Sequence, residues 1–213
     1  TISGRVTGVQ TCALPILFTG IIQAIGQIKT KDVHNKGAVF RFESKDLDFS
    51  NVAIGDSIAV NGVCLTAVEI GGDYFQADLS QETLDCSVFS NLEVGDSVNL
   101  EKALRLSQGI DGHLVSGHVD GVAKVIDKYS EGDSTRFKIS TPKNLVKYIA
   151  RKGSVCINGV SLTVNDISDE MFDINIVPHT LIATTLGELV VGSKVNLEVD
   201  IIARHLEQLL NKD

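Results

Sequence analysis

The sequence predicts a mainly β protein in which two small closed barrels, each of five or six short strands, follow one another along the chain. Three observations support this fold class: a long internal repeat, short segments of alternating polar and apolar residues, and Asn-Gly pairs between β-rich segments. Closure into a barrel is expected because it removes the exposed edges that a small isolated sheet would carry.

The internal repeat has a constant offset of 97 residues and needs no insertion between its anchors. Asn61-Gly62-Val63-Cys64-Leu65-Thr66 returns as Asn158-Gly159-Val160-Ser161-Leu162-Thr163. The same offset relates Val98-Asn99-Leu100-Glu101 to Val195-Asn196-Leu197-Glu198. A repeat of this length indicates two copies of one domain rather than a solenoid of short units. We therefore expect two similar binding sites, one in each copy.

Strands separated by tight turns account for most of each repeat unit. Asn61-Gly62 and Asn158-Gly159 predict two-residue hairpin turns, because a type I′ turn needs positive φ at both central residues. A second turn is expected at 71–73 and at 168–170, and the last strand of each unit is expected to begin near Gly95 and Gly192. Polar and apolar residues alternate at 136–140 and 193–200, which predicts half-buried strands there.

Helical segments are expected to be few and short. The sequence favours helices at 81–89, 142–149, 180–186 and 201–210. In the last of these, Ile202, Leu206, Leu209 and Leu210 share one face of the helix. That apolar face is expected either to pack against another subunit or to cover the chain's own barrel.

The repeat divides the 213 residues into four segments. We expect an N-terminal extension at 1–16, a first barrel at 17–113, a second barrel at 114–203 and a C-terminal helical tail at 204–213. The extension lacks the basic start and continuous apolar segment of a signal peptide, and we interpret it as a tail.

Composition excludes several classes of partner. The formal charge of −8 argues against nucleic acid, because such partners are held by clustered Lys and Arg. For the same reason, and for want of basic and aromatic surface strands, an oligonucleotide-binding barrel is the weaker alternative. The sequence contains no stretch of about 20 apolar residues, so it predicts no membrane span. Acidic charge by itself is ordinary in soluble proteins.

Cysteine and histidine spacing gives no sign of a disulfide framework or a metal site. The repeat does not preserve Cys12, Cys64, Cys86 or Cys156, and none of them forms a CxxC pair. The five histidines form no HxH or HExxH arrangement. We therefore expect reduced thiols in a cytoplasmic protein, without metal or cofactor.

Polar residues at matching positions of the two copies are the candidates for chemistry. Cys64 and Thr66 alternate with apolar neighbours, as do Ser161 and Thr163, so each pair lies on one face of a strand. That face is either exposed to solvent or a row of hydroxyl and thiol groups that binds a polar ligand. His113, in the Gly-containing connection between the copies, titrates near neutral pH and could move protons, although a solvated loop histidine is the alternative.

The segments 78–83 and 175–180 form a second matching patch, where a strand runs into a helix start with free backbone N–H groups. Thr83 and Thr180 are either ligand contacts or simply helix caps.

These residues together resemble the riboflavin synthase family, the trimeric alpha-chain type. The matching segments are Phe18-Thr19-Gly20-Ile21-Ile22-Gln23, Asn61-Gly62-Val63-Cys64-Leu65-Thr66, Gly112-His113-Leu114-Val115-Ser116-Gly117-His118, Tyr148-Ile149 with Lys152-Gly153, Gly159-Val160-Ser161-Leu162-Thr163, and Thr184-Thr185-Leu186-Gly187. The resemblance extends from Phe18 to about Leu210. One departure is that Leu17 stands where the family has its initial Met.

The resemblance implies two tandem six-stranded barrels, a homotrimer held partly by C-terminal helices, and possible association with lumazine synthase. It implies a transferase that dismutates two molecules of 6,7-dimethyl-8-ribityllumazine into riboflavin and 5-amino-6-ribitylamino-uracil, without cofactor or metal. One lumazine would sit on the first barrel of one subunit and the other on the second barrel of a neighbour. The alternative within this fold is a non-catalytic antenna protein that binds lumazine or flavin.

The resemblance also implies which residues form the site. In the first half-site these are Phe18, Gly20, Ile21, Ile22, Cys64, Leu65, Thr66, Asp78, Leu79, Ser80, Gln81, Glu82 and Thr83. The interdomain segment adds Gly112, His113 and Leu114, and the second half-site adds Lys152, Ser161, Leu162, Thr163, Asn175, Ile176, Val177, Pro178, His179 and Thr180. The expected catalytic residues are His113, Ser161 and Thr163 for proton movement, Cys64, Ser57 or a bound water as nucleophile or its positioner, and Asp200 beside the reacting pair.

Overall fold

The computed structural model describes residues 18–210, which form two closed six-stranded antiparallel barrels in tandem. This confirms the fold class. The expected extension at 1–16, with Cys12, and the last three residues of the expected tail lie outside the described residues. No helix among residues 18–210 is both long and apolar enough to cross a membrane.

The first barrel has the strand order β1-β2-β5-β4-β3-β6. Its strands are β1 Ala24–His34, β2 Gly37–Glu43, β3 Ser57–Val60, β4 Val63–Ile70, β5 Tyr74–Ser80 and β6 Ser97–Lys102. Between β5 and β6 lie the helix α1, Gln81–Cys86, and a 3-10 turn at Val88–Ser90. A cluster of buried phenylalanines, including Phe40, Phe42, Phe75 and Phe89, fills the interior.

The second barrel repeats this topology strand for strand. Its strands are β7 Gly121–Glu131, β8 Ser134–Ser140, β9 Ser154–Ile157, β10 Val160–Ser168, β11 Met171–Ile176 and β12 Lys194–Val199. The helix α2, Pro178–Ala183, and a 3-10 turn at Thr185–Glu188 correspond to the short helices of the first barrel. The interior is more aliphatic, because Ile139 and Leu186 replace Phe42 and Phe89 at the 97-residue offset.

The hairpin turns form as the sequence predicts. Asn61 and Gly62 have φ of 46° and 79°, and Asn158 and Gly159 have 46° and 82°. Positive φ at both central positions is what Asn-Gly supplies at little steric cost.

The short helices differ from the predicted bounds. At the predicted 81–89 helix, Ser87 leaves the helical region with φ −131° and divides the segment into α1 and a 3-10 turn. Helix α2 begins before the predicted residue 180 because Pro178 occupies a first-turn position, where its missing N–H costs nothing. The predicted helix at 142–149 is wrong: successive i to i+3 bonds make it a series of turns, with only Val146–Tyr148 in a 3-10 helix.

The C-terminal helix α3, Ile201–Leu210, matches its prediction. It contacts its own barrel through polar groups: Arg204 pairs with Asp120, and Glu207 accepts from Lys147 and Tyr148. The side chains on the predicted apolar face stay largely exposed, from 52% at Ile202 to 79% at Leu210. Among residues 18–210, therefore, the face of α3 formed by Ile202, Leu206, Leu209 and Leu210 covers no barrel.

Candidate functional site

Two short segments, each just before the first strand of a barrel, pack side by side between the barrels. We call them arm 1 (residues 18–22) and arm 2 (residues 115–119). The arms pair with each other, since the Phe18 N–H donates to the Val115 carbonyl at 2.9 Å and the reverse bond is 3.1 Å. Each arm then packs on the opposite barrel: Ile22 lies against the second core and Val119 against the first. The barrels are thus related by an approximate two-fold axis that passes between the arms.

Two buried asparagines tie the barrels together across the same axis. Asn99 donates through Nδ2 to the Asn158 carbonyl at 2.8 Å and accepts from the Thr185 N–H at 2.7 Å. Asn196 makes the matching bonds, to the Asn61 carbonyl at 2.8 Å and from the Val88 N–H at 2.8 Å. These bonds place the two Asn-Gly hairpins against each other and fix the relative position of the strands that follow them.

The expected polar row of the first barrel is present on the outer face of β3 and β4. Ser57 lies opposite Thr66 in the strand register, and Ala59 lies opposite Cys64. The Cys64 and Thr66 side chains point outward while those of Val63 and Leu65 fill the barrel. Burial raises the pKa of the Cys64 thiol, and a hydrogen bond with Ser57 opposes that shift. Cys64 is therefore a thiol rather than a thiolate near neutral pH.

The second barrel carries the matching row on β9 and β10. Ser154 lies opposite Thr163, and Cys156 lies opposite Ser161. Ser154 is the repeat counterpart of Ser57, and sequence reasoning missed it although the 97-residue offset could have found it. Asp78 extends the first row, because the pairing of Ala67 with Ala77 places Asp78 next to Thr66 on the outer face. Asn175 extends the second row in the same way, because the pairing of Val164 with Ile174 places it next to Thr163.

His113 and Ser161 are in direct contact. The His113 Nδ1 and Ser161 Oγ atoms are 2.7 Å apart, although the two residues are 48 positions apart in the chain. The Nε2 atom is buried and has no hydrogen-bond partner among residues 18–210. Burial lowers the pKa of His113, and the nearby Asp200 carboxylate partly restores it. The structure therefore brings together three of the expected catalytic residues, His113, Ser161 and Asp200. The imidazole of His113 is neutral near pH 7, and its Nε2 atom has no partner among residues 18–210.

Lys152 has a backbone conformation that lysine rarely adopts. Its φ is 65°, and its repeat counterpart is Gly55, with φ 96°. A residue with a Cβ in this region costs on the order of 1 kcal/mol or more relative to a relaxed backbone. The second barrel thus keeps a strained lysine where the first has glycine, next to the strand that carries Thr163. Such strain is typical of functional positions.

Two buried carboxylates support the arms, and sequence reasoning missed both. Glu101 accepts from the Thr19 N–H at 2.8 Å, the Thr19 hydroxyl at 3.0 Å and the Gly20 N–H at 3.1 Å. Glu198 accepts from Ser116 and Gly117 in the same pattern, at 2.7 to 3.0 Å. Burial raises the pKa of Glu101 to about 7 and that of Glu198 above its usual range, against the opposing hydrogen bonds.

Cavities lie beside both arms. A cavity of about 620 Å³ includes Ser57 and the chain that leaves β6, but neither Cys64 nor Thr66. Two smaller ones, of about 260 and 290 Å³, are related by the repeat. The first is lined by Thr19, Ile21 and Glu101, and the second by their counterparts Ser116, His118 and Glu198. His118 therefore lines a cavity beside arm 2, and the sequence prediction did not include it. The cavity of about 620 Å³ falls in the size range of small-molecule sites.

The helix starts place the remaining expected residues at the rim. Asp78, Ser80, Gln81 and Glu82 are exposed at the end of β5, as are Val177, Pro178 and His179 at the end of β11. The interpretation of Thr83 and Thr180 as helix caps is wrong. Ser80 is the N-cap of α1 and accepts from the Thr83 N–H at 3.1 Å, whereas Val177 precedes α2 without a side-chain cap.

Four expected contact residues cannot present their side chains to a ligand. Phe18, Leu65, Leu79 and Ile176 are each at most 3% exposed, because they fill the barrels or the junction between them. Alternating strand positions point inward, so only their backbone could contact a substrate.

The assignment of arm 1 to the first half-site also changes. The Gly20 carbonyl accepts from the Ser161 N–H at 2.8 Å, and Ile22 packs on the second core. Arm 1 therefore belongs beside the second polar row, and arm 2 beside the first.

Comparison with known proteins agrees with this geometry. The lumazine binding domain model matches twice, at residues 19–103 and 116–200. Riboflavin synthase of Photobacterium phosphoreum is 46% identical over 92% of this chain and 90% of that protein. Riboflavin synthase of Brucella abortus is 39% identical over 91% of this chain and 98% of that protein. The crystal structure of LumP complexed with riboflavin superposes with a TM-score of 0.80 and 33% identity, covering 86% of this chain and 99% of LumP.

Proposed function

This chain belongs to the riboflavin synthase family of tandem lumazine-binding domains, and from that membership we propose how its two halves divide the family's reaction. The enzyme is a transferase. Two molecules of 6,7-dimethyl-8-ribityllumazine are converted into riboflavin and 5-amino-6-ribitylamino-uracil, as a four-carbon unit passes from one lumazine to the other.

We propose that each polar row binds one lumazine. The observation that carries this proposal is the duplication of the row, Ser57-Cys64-Thr66 on one barrel and Ser154-Ser161-Thr163 on the other. Hydroxyl groups can donate to and accept from the ring and the ribityl chain, and the exposed rim residues from 78–83 and 175–180 would add contacts. Lys152 would supply a cation to the second site only. The reaction needs a donor and an acceptor, and two similar sites can hold them in one orientation.

We assign proton movement to the second row. The C7 methyl group of a lumazine is acidic because the ring delocalises the resulting anion, so orientation matters more than a strong base. The neutral His113, bonded to Ser161, is suited to accept or return a proton, with Thr163 alongside and Asp200 stabilising the charged imidazole. Cys64, Ser57 or a bound water would serve as nucleophile or its positioner at the first row.

We propose, as the family resemblance implies, that the reacting pair forms between the first barrel of one protomer and the second barrel of a neighbour in a homotrimer. The exposed apolar face of α3 supports this assembly. We further propose that the enzyme works in the cytoplasm, where thiols such as Cys64 stay reduced, and that it associates with lumazine synthase, which the family resemblance implies.

The activity is tested by incubating the protein with 6,7-dimethyl-8-ribityllumazine as the only substrate. We expect riboflavin fluorescence to appear with one riboflavin formed for every two lumazines consumed. Protein that retains a fluorescent ligand but forms no riboflavin would instead be the antenna alternative. Both polar rows persist in this chain, and the named relatives favour the enzyme.

Pairing between protomers is tested by complementation. Thr66→Val disables the first row and Ser161→Ala disables the second, and each variant alone should lose most activity. If the reacting pair forms between protomers, dissociating and reassembling the mixed variants should restore activity above the sum of the two. Activity that stays at the sum would contradict pairing between protomers and leave the reaction itself unaffected.

A further inference from the structure

Glu101 and Glu198 are buried carboxylates with no cationic partner. They are 3% and 4% exposed, and neither forms an ion pair with another described residue. A buried carboxylate without compensation is strongly unfavourable, so its hydrogen bonds must offset much of that cost. Here each carboxylate accepts from two backbone N–H groups and one hydroxyl of its arm. A carboxylate whose burial is unfavourable, and whose hydrogen bonds all go to one arm, suggests a role in positioning that arm.

The peptide groups that Glu101 holds also contact the second polar row. The Gly20 N–H donates to Glu101, and the carbonyl of the same residue accepts from the Ser161 N–H at 2.8 Å. Thr19 donates to Glu101, and its carbonyl accepts from the His113 N–H at 3.1 Å. Both backbone partners of the His113–Ser161 pair are therefore fixed by one carboxylate from the first barrel.

Glu198 has the same relation to the first row. Gly117 donates to Glu198 through its N–H, and its carbonyl accepts from the Cys64 N–H at 2.8 Å. Both glycines have φ of 78°, and a Cβ on either would come within 2.7 Å of the contacted residue, Ser161 or Cys64. Because each glycine is packed directly against the row residue, a displacement of arm 1 would displace Ser161 and a displacement of arm 2 would displace Cys64.

We propose that each buried glutamate is a positioning residue for the half-site of the opposite barrel. Glu101 of the first barrel sets the position of Ser161 and His113 in the second half-site, and Glu198 of the second barrel sets the position of Cys64 in the first. This inference rests on the proposed roles of those three residues. It accounts for the exchange of arms: each half-site is completed by the other repeat, so neither barrel alone holds a finished site.

The test replaces each carboxylate by the isosteric amide. In Glu101→Gln and Glu198→Gln, the amide NH₂ can accept no hydrogen bond and faces an N–H or hydroxyl that lost its acceptor. The arm must shift, and misplacement of reacting groups by about 1 Å can cost roughly a hundredfold in rate. We expect kcat to fall at least tenfold in both variants, with KM changing less than kcat because the contacts of 78–83 and 175–180 are untouched.

A readout independent of activity separates positioning from general damage. The imidazole signals of His113, identified by their loss in His113→Gln, are followed by NMR across a pH titration. Because the loss of the Glu101 charge can by itself change the pKa of His113, the neutral change Thr19→Ala, which keeps that charge, reports a changed position. We expect Glu101→Gln to move these signals and the apparent pKa, and Glu198→Gln to leave both unchanged.

Milder variants cover the case in which an amide variant does not fold. Thr19→Ala removes one of the three donors to Glu101, and Ser116→Ala is its counterpart at Glu198. Thr19→Ala should move the His113 signals, and Ser116→Ala should not. Equal movement of the His113 signals by changes on the Glu101 side and on the Glu198 side, or unmoved His113 signals with undiminished kcat in Glu101→Gln, would overturn the proposal. Wild-type protein that forms no riboflavin, with the His113 signals still moved by Glu101→Gln, would refute the function and leave the positioning intact.

Discussion

The first and second barrels share a framework but differ at the rim of their sites. The buried junction is the same in both: an asparagine that crosses to the other barrel, a glutamate that holds an arm, and an Asn-Gly hairpin. Residues around the two polar rows differ at the 97-residue offset: Cys64 corresponds to Ser161, Gly55 to Lys152 and Ile21 to His118. The comparison indicates that the two repeats share the residues that set the geometry of the junction and differ at some of the residues we propose to contact substrate, as expected if one half acts as donor and the other as acceptor.

The largest effect is expected when the shared framework is broken. Asn99→Ala removes two hydrogen bonds and leaves the Asn158 carbonyl and the Thr185 N–H buried without a partner. Each such group costs about 1–3 kcal/mol, so the variant should lose about 3 kcal/mol of unfolding free energy. Asn196→Ala should lose a similar amount. Urea unfolding measures both, and a difference above about 1.5 kcal/mol would show that the two halves of the junction are not equivalent.

The next largest effect concerns the differing row residues. Ser161→Ala removes the hydroxyl 2.7 Å from His113 and should lower kcat roughly a hundredfold, within the range for general acid–base groups. Cys64→Ser, which makes the first row like the second, should lower kcat by less than about threefold, since serine keeps the hydrogen bond with Ser57. Steady-state kinetics decide the order. A larger loss in Cys64→Ser than in Ser161→Ala would assign the demanding chemistry to the first row.

Exchange of Lys152 tests whether its strain serves function. Lys152→Gly gives the second barrel the residue of the first and should raise the unfolding free energy by about 1 kcal/mol, because glycine adopts φ near 65° without strain. Activity should fall at the same time, through loss of the ammonium group. Chemical denaturation and kinetics on one preparation measure both. Unchanged activity in the stabilised variant would remove Lys152 from the site.

A further expected effect is a pH dependence of stability from Glu101. Its folded pKa of about 7 lies above the ordinary 4.5, so the folded chain binds this proton more tightly than the unfolded chain does. The contribution is therefore fully present below pH 4.5 and is lost as pH rises through about 7. Glu101→Gln should lack this part of the decline between those values. Denaturation from pH 4 to 8 measures the difference, and parallel curves for the two proteins would contradict the raised pKa.

Local signals made the fold predictable, and contacts distant in sequence limited the site prediction. Asn61-Gly62 specifies its turn by its own φ preferences, and the spacing of Ile202, Leu206 and Leu209 specifies a helix. The rows followed from alternation along one strand. Glu101 stood in the repeated Val-Asn-Leu-Glu, but its role depends on Thr19, 82 residues away, and no local pattern records that contact. Phe18 was misassigned for the same reason, because its burial depends on Val115.

The central claim is that each chain carries two lumazine half-sites, one on each barrel. Calorimetric titration with a lumazine analogue that lacks the C7 methyl hydrogens, and therefore cannot react, tests it most directly. The account predicts two molecules bound per chain in the wild type, and binding weakened roughly three- to tenfold at one of the two sites in Thr66→Val, which loses one hydroxyl of the first row. A wild-type stoichiometry of one per chain would contradict it, as would a Thr66→Val variant that binds both molecules as tightly as the wild type.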